Sequence, residues 1–426
     1  MAITGSSSSL APDAAGAVAD GAALAVIVGL PALEPGHAAA LAAARAALDV
    51  YRPTLPGRIV VSRPRDAQAA PASAGPAADA DVIDAPYATH PSDTLHVPFH
   101  GMQARARAVH AILREAQAHG AQVCVIADPR SPLTAAWIDA LARPLLDDAV
   151  DLVEPIYRRH PFHGGLVHGI VYPLFRALYG RPVRYPLGGD FACSRATIEA
   201  VVDDPVWETD QAQLGIDWWL SATAIGRGLR VGQAYLGDRA DERTGLDLSA
   251  VLTQVLGVGF SEMERRGASW HRVRETRDLP RFGEPPPTPA PPDVDAAALA
   301  ESFRLGARTL EDVWAEVLPP LAILQWRRLA AARGVPRVDD ALWARTIYDF
   351  AIGHRLRVIA RDHLLASLAP LYLGWLASFV DEVQRQPPEA AEARIERLGR
   401  VFEAEKPYVI SQWRWPERFK PMKAHR

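Results

Sequence analysis

Between Asp151 and Asp241 the chain sets carboxylates beside paired glycines, arginines and tryptophans in a fixed order. Gly188-Gly189 can bring backbone close to a ligand, because no Cβ stands in the way, and Asp190 puts a carboxylate beside that approach. Asp217 precedes Trp218-Trp219, an arrangement that suits either a sugar platform or two core indoles. Asp128 closes the apolar run QVCVIAD, as a strand-end carboxylate or as the cap of a turn. His160, His163 and His168 cluster in the same region, but their spacing matches no zinc pattern.

Such groups need a rigid sheet edge, and the chain is long enough to build one. Its 426 residues predict two domains. An apolar content of 49% and a charged content of 23% describe a soluble globular protein. A formal net charge of -4 leaves no electrostatic footprint for nucleic acid. The two cysteines, Cys124 and Cys193, lie in apolar runs and read as reduced core thiols of a cytoplasmic protein. Residues 1–21 carry no Lys or Arg and read as a disordered tail without the basic start of a secretory signal. The apolar stretch 363–380 has no charged residue, yet Pro370 and Gly374 interrupt it, so a buried helix is expected and no membrane span.

Residues 23–33 read as a buried strand ending in a turn at Pro31, followed by a helix over 36–49 and a second strand over 58–62. This is the opening of a parallel α/β sheet. Residues 63–93 lack any period and predict a long loop. A helix is expected over 104–119, a buried strand over 122–128, and a helix started by Ser131 as N-cap with Pro132 at its first position. DLVEPIY is the next strand. The proline-rich segment 281–295 marks a semi-rigid boundary, after which the period is helical to about residue 405. Trp314, Leu318, Leu321 and Trp326 are expected on one helical face, and the aromatic, basic C-terminal segment is expected to pack back on the body.

The segments IADPRSPLTAAWI, EPIYRRHPFHGG, YPLGGDFACSR, GIDWWLSATAI and LGDRAD, continuing to LAPLYLGWLASFV and FEAEKPYVISQW, resemble retaining GT-A glycosyltransferases of the mannosylglycerate synthase and glucosyl-3-phosphoglycerate synthase type. The resemblance implies a GT-A, Rossmann-like, mostly parallel sheet domain over 22–278, a linker over 279–295 and an all-helical domain over 296–426. It also implies hexose transfer from a nucleotide-diphosphate sugar to a small anionic acceptor of the glycerate or phosphoglycerate type. The turn at Pro31 would face the nucleotide. Arg105, within Ala104-Arg105-Ala106 where the family has glycine-lysine-glycine, would face the diphosphate, and Gly188 and Gly189 would lie against the bound donor.

By the same resemblance, Asp128 and Asp241 would hold Mg²⁺ or Mn²⁺ through hard oxygen ligands. Tyr157, Arg158, Arg159 and Gly164 would hold the acceptor's anionic group, for which an arginine fork is suited. Asp190 would stand near the donor sugar and Asp217 near the reacting centre. The helical domain is the expected seat of any self-association. Four departures mark the sequence: Arg63 at the family's nucleotide-facing acidic position, Ile126 at the first carboxylate of its D-x-D, Asp241 at its histidine ligand, and no threonine near Val167. They leave a second reading, a non-catalytic binding or regulatory protein on the same frame. A dinucleotide-binding oxidoreductase lacks support, since Gly29-Leu30-Pro31 stands where a G-x-G-x-x-G would begin.

Overall fold

A computed structural model describes residues 24–52, 54–65, 81–90, 104–160, 162, 165–239, 247–287, 289 and 293–416. The first part alternates strands and helices: β1 (Val26–Leu30), α1 (Ala38–Tyr51), β2 (Gly57–Pro64), β3 (Val82–Tyr87), α2 (Arg105–Ala118), β4 (Val123–Ile126), α3 (Ala135–Leu146) and β5 (Leu152–Arg158). It continues through α4 (Tyr172–Tyr179), β6 (Phe191–Ser194), α5 (Arg195–Val201), α6 (Asp210–Gly226), β7 (Val231–Asp238), α7 (Leu248–Arg265), α8 (Gly267–Trp270) and β8 (Arg281–Phe282). Helices α9 (Ala296–Thr309), α10 (Glu311–Ala315), α11 (Pro320–Ala331), α12 (Asp340–Leu356), α13 (Arg361–Ser367), α14 (Ala369–Val383) and α15 (Pro388–Arg414) follow.

The eight strands form one sheet in the order β3-β2-β1-β4-β6-β5-β7-β8. Only β6 runs against its neighbours, between β4 and β5; every other pairing is parallel. VIVGL and VCVI are buried along their whole length, as strands covered on both faces must be. The expected mostly parallel sheet followed by helices is therefore what the chain forms. Because β6 is reversed, its N-terminal end joins the C-terminal ends of β1, β4, β5 and β7 on one edge.

The structure corrects three local expectations. The segment 63–93 contains β3, whose VIDAPY pairs in parallel with β2. Half-buried edge strands carry little apolar signal, and β3 is one. Helix α3 starts three residues later than expected: Thr134, not Ser131, accepts the amide of Trp137 at 3.1 Å. Ser131 is held in a turn by its amide bonding the Asp128 carbonyl at 2.9 Å. Leu321 is exposed, unlike Trp314, Leu318 and Trp326, because α10 ends before it and α11 begins afresh at Pro320.

The helical half packs on the sheet half through α4 and α15, within one continuous apolar core. Arg176 on α4 bonds Glu396 and Glu403 on α15, each at 2.6 Å. Lys406 donates to the Ala177 carbonyl at 2.6 Å, closing the last turn of α4. A π-turn at Val167–Val171 lets the Trp343 indole reach the Gly169 carbonyl at 2.8 Å. A Cβ on Gly169 would stand 2.2 Å from the Trp375 ring, so only glycine permits this contact. The stretch Arg361–Val383 is long and apolar enough to cross a membrane, yet most of it is buried inside the protein. It forms α13 and α14, broken where Pro370 enters the second helix. The C-terminal segment packs back as far as Trp413, whose ring meets Trp270 at 5.3 Å.

Candidate functional site at the carboxyl edge of the sheet

The chain leaves β4 through Ala127 and turns at Asp128, whose carboxylate is 1% exposed. Arg130 grips it from two residues on. Its amide and Nε reach Oδ1 at 3.1 and 3.0 Å, and its Nη2 reaches Oδ2 at 2.7 Å. The Asp128 amide bonds Asp190 Oδ1 at 2.6 Å, which ties the end of β4 to the start of β6. Gly188 is required there by close approach, since a Cβ would lie 2.3 Å from Pro155. Gly189 has φ +88°, a conformation that glycine adopts without a steric penalty.

Tyr157, on β5, sends its hydroxyl into the same place. It lies 2.5 Å from the Gly188 carbonyl and 2.6 Å from Asp190 Oδ2. Arg239, just past β7, completes the network. Its Nη1 donates to the Tyr157 hydroxyl at 2.6 Å, to Asp190 Oδ2 at 3.0 Å and to the Gly188 carbonyl, while its Nη2 donates to Asp128 Oδ2 at 3.0 Å. The guanidinium also lies over the Tyr157 ring, 4.9 Å from its centre.

A second pair adjoins this one. Arg105, at the first position of α2, donates Nη2 to Asp217 Oδ1 at 2.8 Å and to the Gly189 carbonyl at 2.5 Å. Both side chains are buried, at 4% and 5% exposure. The α2 start keeps a left-handed turn although glycine is absent: Ala104 has φ +51°. Gly215 lets α6 bend toward α7, where a Cβ would be 2.0 Å from Val258. One turn past Asp217, the Ser221 hydroxyl donates to Glu154 on β5 at 2.5 Å.

The charges follow from this wiring. Burial would raise the Asp128 carboxyl, but the Arg130 hydrogen bonds and the Arg239 charge outweigh it and hold the group at about 2. Burial dominates at Asp190 and raises it, with Arg239 opposing. Burial likewise lifts the Tyr157 hydroxyl well above its ordinary value. Glu154 is pushed up by burial, against the Ser221 hydrogen bond, to about 8. Arg105 is held charged by Asp217 against the penalty of its own burial.

Asp190, Asp217, Asp128, Gly188, Gly189, Arg105 and Tyr157 are thus brought together. Pro31 lies buried at the end of β1, and Arg63 near the end of β2. Trp218 and Trp219 are core: one donates its indole N–H to the Tyr179 hydroxyl at 3.3 Å, and the other meets Trp207 at 5.6 Å. Arg158 turns outward to Asp238. Arg159 stays inside, donating to the Arg239 carbonyl at 3.2 Å. Tyr157, Arg158 and Arg159 line a cavity of about 320 Å³, together with Arg184, Arg281 and Tyr185. Asp241 and Gly164 lie outside the described residues.

Sequence reasoning assigned no role to Arg239 or Arg130. Each carried a signal: an arginine directly after the L-G-D that ends β7, and one two residues past the strand-end Asp128. The described residues do not form a cation cage. Both Asp128 oxygens and both Asp190 oxygens already accept hydrogen bonds. Among the described residues no group of three or more His, Cys, Asp or Glu side chains is placed to hold a metal ion.

No protein-family model matches the chain, and no curated protein does. Among solved structures it is similar to a glucosyl-3-phosphoglycerate synthase from Mycobacterium tuberculosis in complex with Mn²⁺, uridine diphosphate and phosphoglyceric acid. The identity is 21%, over 57% of this chain and 79% of that one, with a TM-score of 0.39. It is also similar to a mannosyl-3-phosphoglycerate synthase from Rubrobacter xylanophilus, at 19% identity over 57% and 75% of the two chains and a TM-score of 0.38.

Proposed function

We propose that the chain is a retaining hexosyltransferase that takes a nucleotide-diphosphate sugar at the carboxyl edge and a small anionic acceptor in the adjoining cavity. The single observation that supports this best is the convergence of Asp128, Asp190, Asp217 and Arg105 from four separate elements on that edge, where ligands of open α/β sheets bind. In the reaction the bond from the sugar's anomeric carbon to the diphosphate oxygen breaks, and the acceptor hydroxyl oxygen takes its place. The hydroxyl proton leaves with the departing diphosphate. Asp190 and Asp217, both buried, would stand beside this position, where fixed groups act without reorganising during the reaction. Arg159 lies at the wall between the edge and the cavity, where it would orient the acceptor's carboxylate or phosphate.

A second reading, a binding or regulatory protein without turnover, is favoured by one specific observation: the three aspartates are each already engaged by arginine. Incubation with UDP-glucose or GDP-mannose and either glycerate or 3-phosphoglycerate separates the two. Product detected by mass spectrometry supports the transferase. Nucleotide binding without product or donor hydrolysis supports the binding protein. Under the transferase reading Arg159→Ala raises the acceptor KM by roughly tenfold, as loss of a charged contact does, and leaves donor binding unchanged.

A further inference from the structure

We propose that the carboxyl edge binds a nucleoside diphosphate through its own guanidinium groups, with Arg239 in the place a divalent cation would take, so that binding does not depend on Mg²⁺ or Mn²⁺. The proposal rests on the reading that a diphosphate ligand binds at this edge, and it holds for a transferase and for a binding protein alike.

The first support is occupancy. A divalent cation ligated by Asp128 would sit ~2.0–2.6 Å from a carboxylate oxygen. Oδ2 already has Arg239 Nη2 at 3.0 Å and Arg130 Nη2 at 2.7 Å, and Oδ1 has Arg130 Nε at 3.0 Å. A cation could enter only against two like charges or by expelling them, and burial makes that repulsion weakly screened. Asp190 gives no alternative, because Arg239 Nη1 is 3.0 Å from its Oδ2 and the Asp128 amide takes its Oδ1 at 2.6 Å.

The second support is charge. Among the described residues, Arg105, Arg130 and Arg239 stand against Asp217, Asp128 and Asp190, so guanidinium charge is already present where a cation would act. A diphosphate arriving there meets those guanidinium groups in place of a divalent cation. Guanidinium forks meet phosphate oxygens in pairs, and Arg239 spans both carboxylates from one side chain.

The third support is an unmet donor. Arg105 is 3% exposed, yet its Nη1 has no hydrogen-bond partner among the described residues. Buried donors left unpaired are costly, and its two N–H groups suit an anionic oxygen. The same guanidinium already holds the Gly189 carbonyl, next to the Gly188 carbonyl that Arg239 holds. The two arginines therefore flank one short stretch of backbone.

The test is calorimetric titration of UDP and of GDP into the full chain, once in EDTA and once with Mn²⁺, together with titration of Mn²⁺ alone. The expected result is binding of at least one nucleotide with Kd values that agree within about threefold between EDTA and Mn²⁺, and no tight binding of Mn²⁺ by itself. Arg239→Ala should weaken the nucleotide by about tenfold or more, with Arg239→Lys recovering part of the loss, since charge returns but the fork does not. Circular dichroism of both variants shows whether they fold; if Arg239→Ala does not, the EDTA comparison on the wild type decides alone. Binding that requires Mn²⁺ would overturn the inference and leave the diphosphate-site reading standing. Failure of both nucleotides to bind in either condition would overturn both.

Discussion

Two groups of largely buried arginines pair with carboxylates in this molecule, and their partners differ. On the α4–α15 interface, Arg176 and Arg184 pair with Glu396, Glu403 and Glu392, whose side chains are 33%, 27% and 48% exposed. At the carboxyl edge, Arg105 and Arg239 pair with Asp217, Asp128 and Asp190, which are 5%, 1% and 0% exposed. Water can compensate a broken pair at the first place and cannot at the second. An interface needs only the attraction left over after solvent screening. A cluster with both signs buried costs desolvation on each side, so its residues are expected where a ligand must find fixed charges.

Truncation separates the two arginine groups most strongly. Arg239→Ala leaves Asp128 and Asp190 short of a charge partner, and urea denaturation should show a loss of about 3–5 kcal/mol. Arg176→Ala, with glutamates that can turn to solvent, should lose about 1–2 kcal/mol. Equal losses would break the distinction. A bound nucleotide should raise the melting temperature of wild type and of Arg176→Ala alike, because Arg176 lines neither the carboxyl edge nor the adjoining cavity.

Next in size is the response to pH. Glu154 is raised from 4.5 to about 8 by burial, so its neutral form belongs to the fold. Its contribution is fully present below the unfolded value and is lost as pH rises through about 8. Stability measured by denaturation should therefore fall across that window, and Glu154→Gln should flatten the fall. Asp128 has the opposite sign: held at about 2, it stabilises the fold above its ordinary 3.8 and ceases to do so as pH drops through 2. Asp128→Asn should remove that acid limb.

The smallest effect concerns backbone. Ala104 begins α2 at φ +51°, and a non-glycine residue in that conformation costs roughly 1 kcal/mol. Ala104→Gly should raise the denaturation midpoint by a corresponding amount. It should leave nucleotide affinity unchanged if Arg105 is already in place.

Much of this architecture was legible in the chain. Runs such as VCVI and VIVGL are apolar throughout, as strands buried on both faces commonly are. Asp295 and Asp339 begin α9 and α12 by accepting the first amides, as capping residues do. β3 was not legible, because VIDAPY lies at the sheet edge among Ala, Pro and Asp and alternates weakly. At the site, Asp128, Asp190 and Asp217 could be picked by residue type. Their pairings could not: Arg105, reached only through the resemblance, is 112 positions from Asp217, and Arg239 is 111 from Asp128. Only the reversal of β6 brings Asp190 alongside Asp128, and pairing of that kind is a property of topology.

The proposed diphosphate site is the group of arginines at the carboxyl edge. A crystal structure of the protein grown with UDP-glucose or GDP-mannose in EDTA tests it most directly. Diphosphate oxygens are expected within hydrogen-bonding distance of Arg105 Nη1 and of Arg239, with the sugar toward Asp190 and Asp217. A nucleotide seated elsewhere, with the Arg239 bonds to Asp128 and Asp190 unchanged and no ligand oxygen at Arg105, would contradict it.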